Sequence, residues 1–336
     1  MDSKTRRRFI ESLAAAGMLT AASRAQAMIT ENDRALLARR AASAPRPMPD
    51  PESDPELVAQ YRRQMDAGDV LANADPLPDV AAYHPAFQLR PGLTAGIAVP
   101  HGPGPFPVML HCHGNGFIAG SARSYRRFTM DCARGGFLTI LPDYRLAPEN
   151  KWPAGFDDLV FAANWARDHS GQFKGDGRKL LVTGNSVGGG ISLSLARYLQ
   201  TTPGSPKIAG VASMDGLPDN YGAFIANPKA GRARRISYWA SSTDPERIRD
   251  PRISPGQGLR PGMLPPAILL TTGSADFAAP ETLAFAVQLR ALNIPFELRV
   301  FEGMPHDAAK QALLDGGREQ LEVLFRFGHA AVARYA

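Results

Sequence analysis

The sequence predicts an α/β fold in which a mostly parallel sheet carries helices on both faces. Three observations lead there. Seven apolar runs of strand length follow one another between Leu93 and Phe301. Helical patterns fill most of the intervals between them. At 179–198, "KLLVTGNSVGGGISLSLARY", a strand-like run passes through a glycine-rich turn straight into a helical pattern. Strands that alternate with helices build parallel sheets, because a crossover helix returns the chain to the same end of the sheet. The chain has 336 residues, 44% of them apolar and 21% charged, which is an ordinary globular composition with enough length to bury a large core.

Residues 1–27 stand apart from this pattern. Adjacent Arg6, Arg7 and Arg8 precede Phe9, a weakly apolar stretch runs from Leu13 to Ala22, and Ala25-Gln26-Ala27 supplies small residues for cleavage. This is the layout of an export signal of the twin-arginine type, so a periplasmic or secreted location is expected. The apolar stretch is too short to span a bilayer, and no stable membrane anchor is expected from it. Five basic residues (Lys4, Arg6, Arg7, Arg8, Arg24) and two acidic ones (Asp2, Glu11) give this segment +3 of the chain's +6 charge. The remaining +3 is no nucleic-acid footprint.

Residues 28–91 are rich in Ala, Arg, Asp and Pro, with short helical patches such as "NDRALLARR" and "DPELVAQYRRQM". The regular pattern occupies 92–336. Its strand signals are 93–99, 107–112, 136–142, 179–184, 207–214, 266–273 and 296–301; its helical patterns include 154–169, 187–200, 279–292 and 311–331. Residues 216–262 separate two strands by far more than an ordinary connection, which marks a functional insertion.

The turn at 184–188, Gly-Asn-Ser-Val-Gly, fits the Gly-x-Ser-x-Gly elbow that lifts a serine hydroxyl above the sheet. A phosphate-binding loop would need a lysine after its glycines, and a dinucleotide site a Gly-x-Gly-x-x-Gly; neither is present. A serine becomes a nucleophile when a histidine takes its proton and a carboxylate orients that histidine. Asp276 follows the strand "PAILLTTG", and His306 follows "FELRVF", in the chain order the elbow requires. Of the seven histidines, His306 alone sits at a suitable strand end; Asp307, next to it, is the less suitable acid because it cannot easily turn back to the ring. Before the elbow, "HGNGF" follows the strand "PVMLHC". It places Gly114, Asn115 and Gly116 where backbone N–H groups form an oxyanion hole together with Val187. His111 and His113 are spaced like a metal pair but lack a third ligand cluster, so no metal is expected.

With "HGNGF", "DYRLAPE" (143–149), "GNSVGGG", Asp276 and His306 in this order, the sequence from Leu93 onward resembles the hormone-sensitive-lipase-like family of α/β-hydrolases. The resemblance implies the α/β-hydrolase fold and a cofactor-free serine carboxylesterase acting on small-molecule esters. It also implies a helical cap built from an N-terminal segment and an insertion, roles that fit 28–91 and 216–262, and it assigns "DYRLAPE" to bracing the oxyanion loop and the elbow. The sequence departs from the family pattern at Asn115 for a loop glycine, at Asn185 and Val187 around the serine, and at Phe277-Ala278 after the acid. A lactonase or peptidase would use the same triad. A ligand-binding relative without catalysis would lack the histidine that His306 supplies. A homodimer is left open. Cys112 and Cys132 are expected as buried free thiols, although a disulfide between them is conceivable in an oxidising compartment.

Overall fold

In the computed structural model, eight strands form one sheet. The structure describes residues 76–226, 239–310 and 315–335, together with Glu56, residues 58–63, Met65, Asn73 and Ile236. The strands are β1 (Ala82–Arg90), β2 (Leu93–Val99), β3 (Phe106–Cys112), β4 (Leu138–Pro142), β5 (Gly175–Asn185), β6 (Ile208–Met214), β7 (Ala267–Gly273) and β8 (Glu297–Phe301). Their order across the sheet is β1-β2-β4-β3-β5-β6-β7-β8. Strands β3 to β8 run parallel, while β1 and β2 form an antiparallel edge. The central strands β4 and β6 are buried at every position, as expected for parallel strands covered on both faces.

Seven helices belong to the described residues after the first strand: α1 (Arg126–Arg134), α2 (Ala154–His169), α3 (Val187–Thr201), α4 (Asn220–Ala226), α5 (Pro245–Ile248), α6 (Ala279–Ala291) and α7 (Asp315–Tyr335). One apolar cluster joins Val108, Leu110 and Cys112 of β3 to Phe156, Leu159, Leu195 and Leu289 of α2, α3 and α6. Another joins Met109 of β3 and Leu181 of β5 to Phe128, Leu324 and Phe325 of α1 and α7. Because neighbouring residues along a strand point to opposite faces, these clusters lie on the two sides of the sheet. Cys112 is in the first cluster and Cys132 in the second, and both are free thiols.

Two sequence expectations need revision here. The sheet begins at Ala82, so β1 and its turn belong to it, although the boundary at 91/92 leaves them in the cap segment. β1 carries Pro85, and its pairing with β2 shifts register between His84 and Phe87. A proline cannot donate to a ladder and is accommodated on an edge beside a bulge, which is why this strand does not read as one. The last helix runs to Tyr335 rather than ending near 331; residues 311–314 lie outside the described set. The export signal at 1–27 and most of the segment 28–75 also lie outside it.

The described parts of the two expected cap pieces meet the sheet's carboxyl edge. Arg62 donates to Ile118 O, to Ala147 O and to both carboxylate oxygens of Glu149. From the insertion, Trp239 stacks on Phe117 at 4.1 Å between ring centroids, and its carbonyl accepts from Trp152 N. No helix of the described residues is long and apolar enough to cross a membrane.

Candidate active site

β5 ends at Asn185 and α3 begins at Val187, so Ser186 alone makes the turn. It adopts φ 57° and ψ −129°, a conformation that a non-glycine residue holds only when its surroundings impose it. The flanking glycines explain how. A Cβ on Gly184 would lie 2.1 Å from Gly188 O, and one on Gly188 would lie 2.1 Å from Cys112 O and 2.3 Å from His113 O. Strand, helix and the loop after β3 therefore press together at distances only glycine allows.

The structure brings Ser186, His306 and Asp276 into one hydrogen-bonded line. His306 Nε2 is 2.8 Å from Ser186 Oγ, and His306 Nδ1 is 2.8 Å from Asp276 Oδ1. Asp276 Oδ1 also accepts from Ala278 N at 2.7 Å, and its Oδ2 from Thr272 Oγ1 at 3.3 Å. Asp276 is fully buried, and the loops after β7 and β8 hold it and His306 at the same edge as the elbow. Asp307 takes the other side of the ring, with Oδ1 3.8 Å from His306 Nε2. Burial works against a charged imidazole here. The negative charge of Asp307, then the hydrogen bond and charge of Asp276, outweigh it and raise His306 to about 9.

The oxyanion loop packs directly on the serine: a Cβ on Gly114 would lie 2.9 Å from Ser186 Cβ. Asn115, Gly116 and Phe117 all take positive φ, so the loop follows a tight left-handed path over the serine. The N–H groups of Asn115, Gly116 and Val187 have no acceptor among the described residues. Gly114 differs. Its N–H donates to Tyr125 Oη at 3.0 Å, so it braces the loop and is not free for an oxyanion. This corrects the expectation that counted Gly114 with the donors.

Much of the support beneath the site is invisible to motif reading. Asn185 donates from Nδ2 to Tyr125 Oη and to Asp307 Oδ1, while its Oδ1 accepts from His111 Nε2 at 3.2 Å. His111 Nδ1 in turn pairs with Thr183 Oγ1. Burial lowers His111 to about 3 and His113 to about 4, so both rings are neutral. His113 stacks on Tyr144, whose hydroxyl donates to His113 O at 2.8 Å. Asp143 accepts from Ala122 N and Thr94 Oγ1, and Ala147 N donates to Phe117 O. The segment 143–149 thus ties the oxyanion loop to the sheet from beneath. No group of three His, Cys, Asp or Glu among the described residues could hold a metal ion.

A family model described as the alpha/beta hydrolase fold matches residues 109–310. The chain belongs to the α/β-hydrolase family. Within it, the sequence falls in the hormone-sensitive-lipase-like branch. Esterase LipI of Mycobacterium tuberculosis is 28% identical over 211 residues, and ethyl acetate hydrolase of Pseudomonas putida is 27% identical over 210. Each match covers 60% of this chain, which spans 65% of the relative's length. Among solved structures, a hyperthermophilic esterase from the archaeon Pyrobaculum calidifontis superposes with a TM-score of 0.72 at 22% identity, covering 91% of this chain and all of the other. That likeness establishes the fold.

Proposed function

We propose that this hydrolase is a serine carboxylesterase that cleaves esters of small to medium carboxylic acids through an acyl-enzyme. The observation that carries the reading is the unbroken line Ser186 Oγ, His306, Asp276, set beneath a loop in which the N–H groups of Asn115 and Gly116 have no acceptor among the described residues. The names of relatives, one of them an ethyl acetate hydrolase, support the ester class.

In this mechanism His306 Nε2 takes the Ser186 proton as Oγ attacks the ester carbonyl. Asp276 holds the resulting imidazolium in place through Nδ1. The N–H groups of Asn115, Gly116 and Val187 receive the charge that develops on the carbonyl oxygen, helped by the positive N-terminal end of α3. Each such donor is worth about 3 kcal/mol in the transition state. His306 then protonates the departing alcohol, and water repeats the sequence on the acyl group. Arg62 and Trp239, from the two expected cap pieces, hold the loop that bears the donors through Ile118 O, Ala147 O and the Phe117 ring.

The test is covalent labelling with an organophosphate together with hydrolysis of p-nitrophenyl esters of increasing chain length. One phosphoryl adduct on Ser186 and turnover of the short esters are expected. In Ser186→Ala, a folded protein with activity reduced on the order of 10⁴-fold or more is expected, because the triad works as a unit. A Ser186→Ala protein that keeps a tenth of the wild-type rate overturns the mechanism. A wild type that resists the organophosphate points instead to a small-molecule-binding member of the fold.

We further propose that residues 1–27 direct export by the twin-arginine route to the periplasm or beyond. The paired arginines and the small-residue cleavage site support this.

A further inference from the structure

Behind the triad lies a second carboxyl that the esterase mechanism does not use. Asp215 follows directly on β6, takes φ 49°, and is fully buried. Its backbone N–H donates at 2.8 Å to Thr271 O on β7, the strand that leads to Asp276. No N–H or O–H group of the described residues donates to either oxygen of its side chain. The residue after Thr271, Thr272, donates from its hydroxyl to Asp276 Oδ2, so the strand that anchors Asp215 also leads into the loop that holds Asp276. The titratable groups facing it come from two loops: Asp276 from the loop after β7, and His306 and Asp307 from the loop after β8.

Chemistry leaves few choices for such a pair. An ionised carboxylate without a single donor, sealed from water, is among the most costly groups a protein can bury. Two carboxyls that face each other away from water do not both ionise unless a cation sits between them, and His306 is already engaged by Asp276 through Nδ1. A protonated carboxyl has the opposite need, since it carries one O–H that must find an acceptor. Asp276 supplies it. Its Oδ1 is taken by His306 and Ala278, whereas Oδ2 receives only the long 3.3 Å contact from Thr272. Burial drives Asp215 well above the usual carboxylate range. The charges of Asp276 and Asp307 push the same way, and only His306 opposes them.

We propose that Asp215 is a protonated carboxyl that donates its hydrogen to Asp276 Oδ2, a positioning residue that fixes the carboxylate orienting His306. The proposal rests on the triad reading above and deepens it. The pair then carries one negative charge, held at the end that faces the imidazole. Ionised Asp215 would add to the charge around His306; protonated Asp215 withdraws that contribution and leaves the imidazole easier to deprotonate.

The experiment pairs infrared spectroscopy with kinetics. At neutral pH the wild type should show the carbonyl stretch of a buried carboxylic acid, shifted in D₂O, and Asp215→Asn should abolish it. This readout needs no turnover, so it stands or falls separately from the esterase reading. An amide can still donate to Asp276, so Asp215→Asn should keep kcat/KM within about threefold of wild type. Asp215→Leu keeps the bulk and removes the donor. It should lower kcat about tenfold or more at unchanged KM and move the acidic limb of the pH profile upward, because Asp276 then binds the imidazolium without competition. Absence of the infrared band overturns the proposal. So does an Asp215→Leu enzyme with wild-type kcat and an unmoved limb, which would make Asp215 a space-filler. If Asp215→Leu fails to fold, the infrared comparison with Asp215→Asn decides alone.

Discussion

Asp307 Oδ1 lies 3.8 Å from His306 Nε2, on the face of the imidazole that must accept the Ser186 proton. Two carboxylates therefore flank one histidine, Asp276 at the nitrogen that orients it and Asp307 near the nitrogen that reacts. The second of these charges has a cost for catalysis, because a base that is already protonated cannot take a proton.

With His306 raised to about 9, kcat/KM should climb through neutral pH and level off near pH 9. In Asp307→Asn the amide oxygen can still accept from Asn185 Nδ2, so the packing survives while the charge goes. Its acidic limb should move down by roughly one pH unit. A limb that stays in place would assign the basicity of His306 to Asp276 alone. The same raised value sets a stability slope. The folded state keeps a proton on His306 that the unfolded chain releases above 6.5. This contribution is therefore complete below pH 6.5 and is lost as the pH rises to about 9. Melting temperature should fall across that window, and the fall should be smaller in Asp307→Asn.

Gly188→Ala tests the elbow as a packing device. The added Cβ would meet two backbone oxygens, Cys112 O and His113 O, neither of which is a flexible side-chain end. We expect a loss of about 3 kcal/mol in urea unfolding, the upper end for an overpacked core, or failure to accumulate folded protein. A variant with the wild-type midpoint would show that α3 can slide away from β3 at no cost.

How far the sequence discloses this protein can be judged at the same place. The elbow is legible because it is local: five residues carry the glycines, the serine and the strand-to-helix switch together. Ser186, Asp276 and His306 are legible because each closes a strand whose apolar run marks its end. What fails to show is whatever depends on distant chain segments meeting. Tyr125 has no motif around it, yet its hydroxyl takes the N–H of Gly114 and the amide of Asn185, 60 residues on. Asp215 reads as an ordinary residue at a strand end, and only the neighbouring strand's loop gives it Asp276 as a companion. β1 is hidden for a second reason: its interrupted, half-exposed pattern is that of an edge.

Asn115 occupies a glycine position in the oxyanion loop, with φ 75°. Its Nδ2 is buried and has no hydrogen-bond acceptor among the described residues, so that donor does not brace the loop. The side chain is thus expected to occupy space beside the nucleophile that an all-glycine loop leaves to bulky alcohols. Wild type should hydrolyse ethyl acetate readily and tert-butyl acetate scarcely. Asn115→Gly should narrow the ratio of the two kcat/KM values; an unchanged ratio in a folded, active variant would reject the steric role.

For export, Arg6→Lys combined with Arg7→Lys keeps the charge but removes the paired guanidinium groups. Precursor should build up in the cytoplasm, as seen by fractionation and blotting. Normal accumulation of the mature form outside the cytoplasm would exclude the twin-arginine route for this chain.

The separation of Cys112 from Cys132 by the thickness of the sheet has a bearing on where this molecule can mature. Burial pushes both thiols up, which keeps them protonated and slow to react. No covalent crosslink between them contributes to the fold, so neither glutathione nor a disulfide-forming enzyme should alter it. The fold thus draws nothing from thiol chemistry, and it should reach the same shape in a reducing compartment as in an oxidising one.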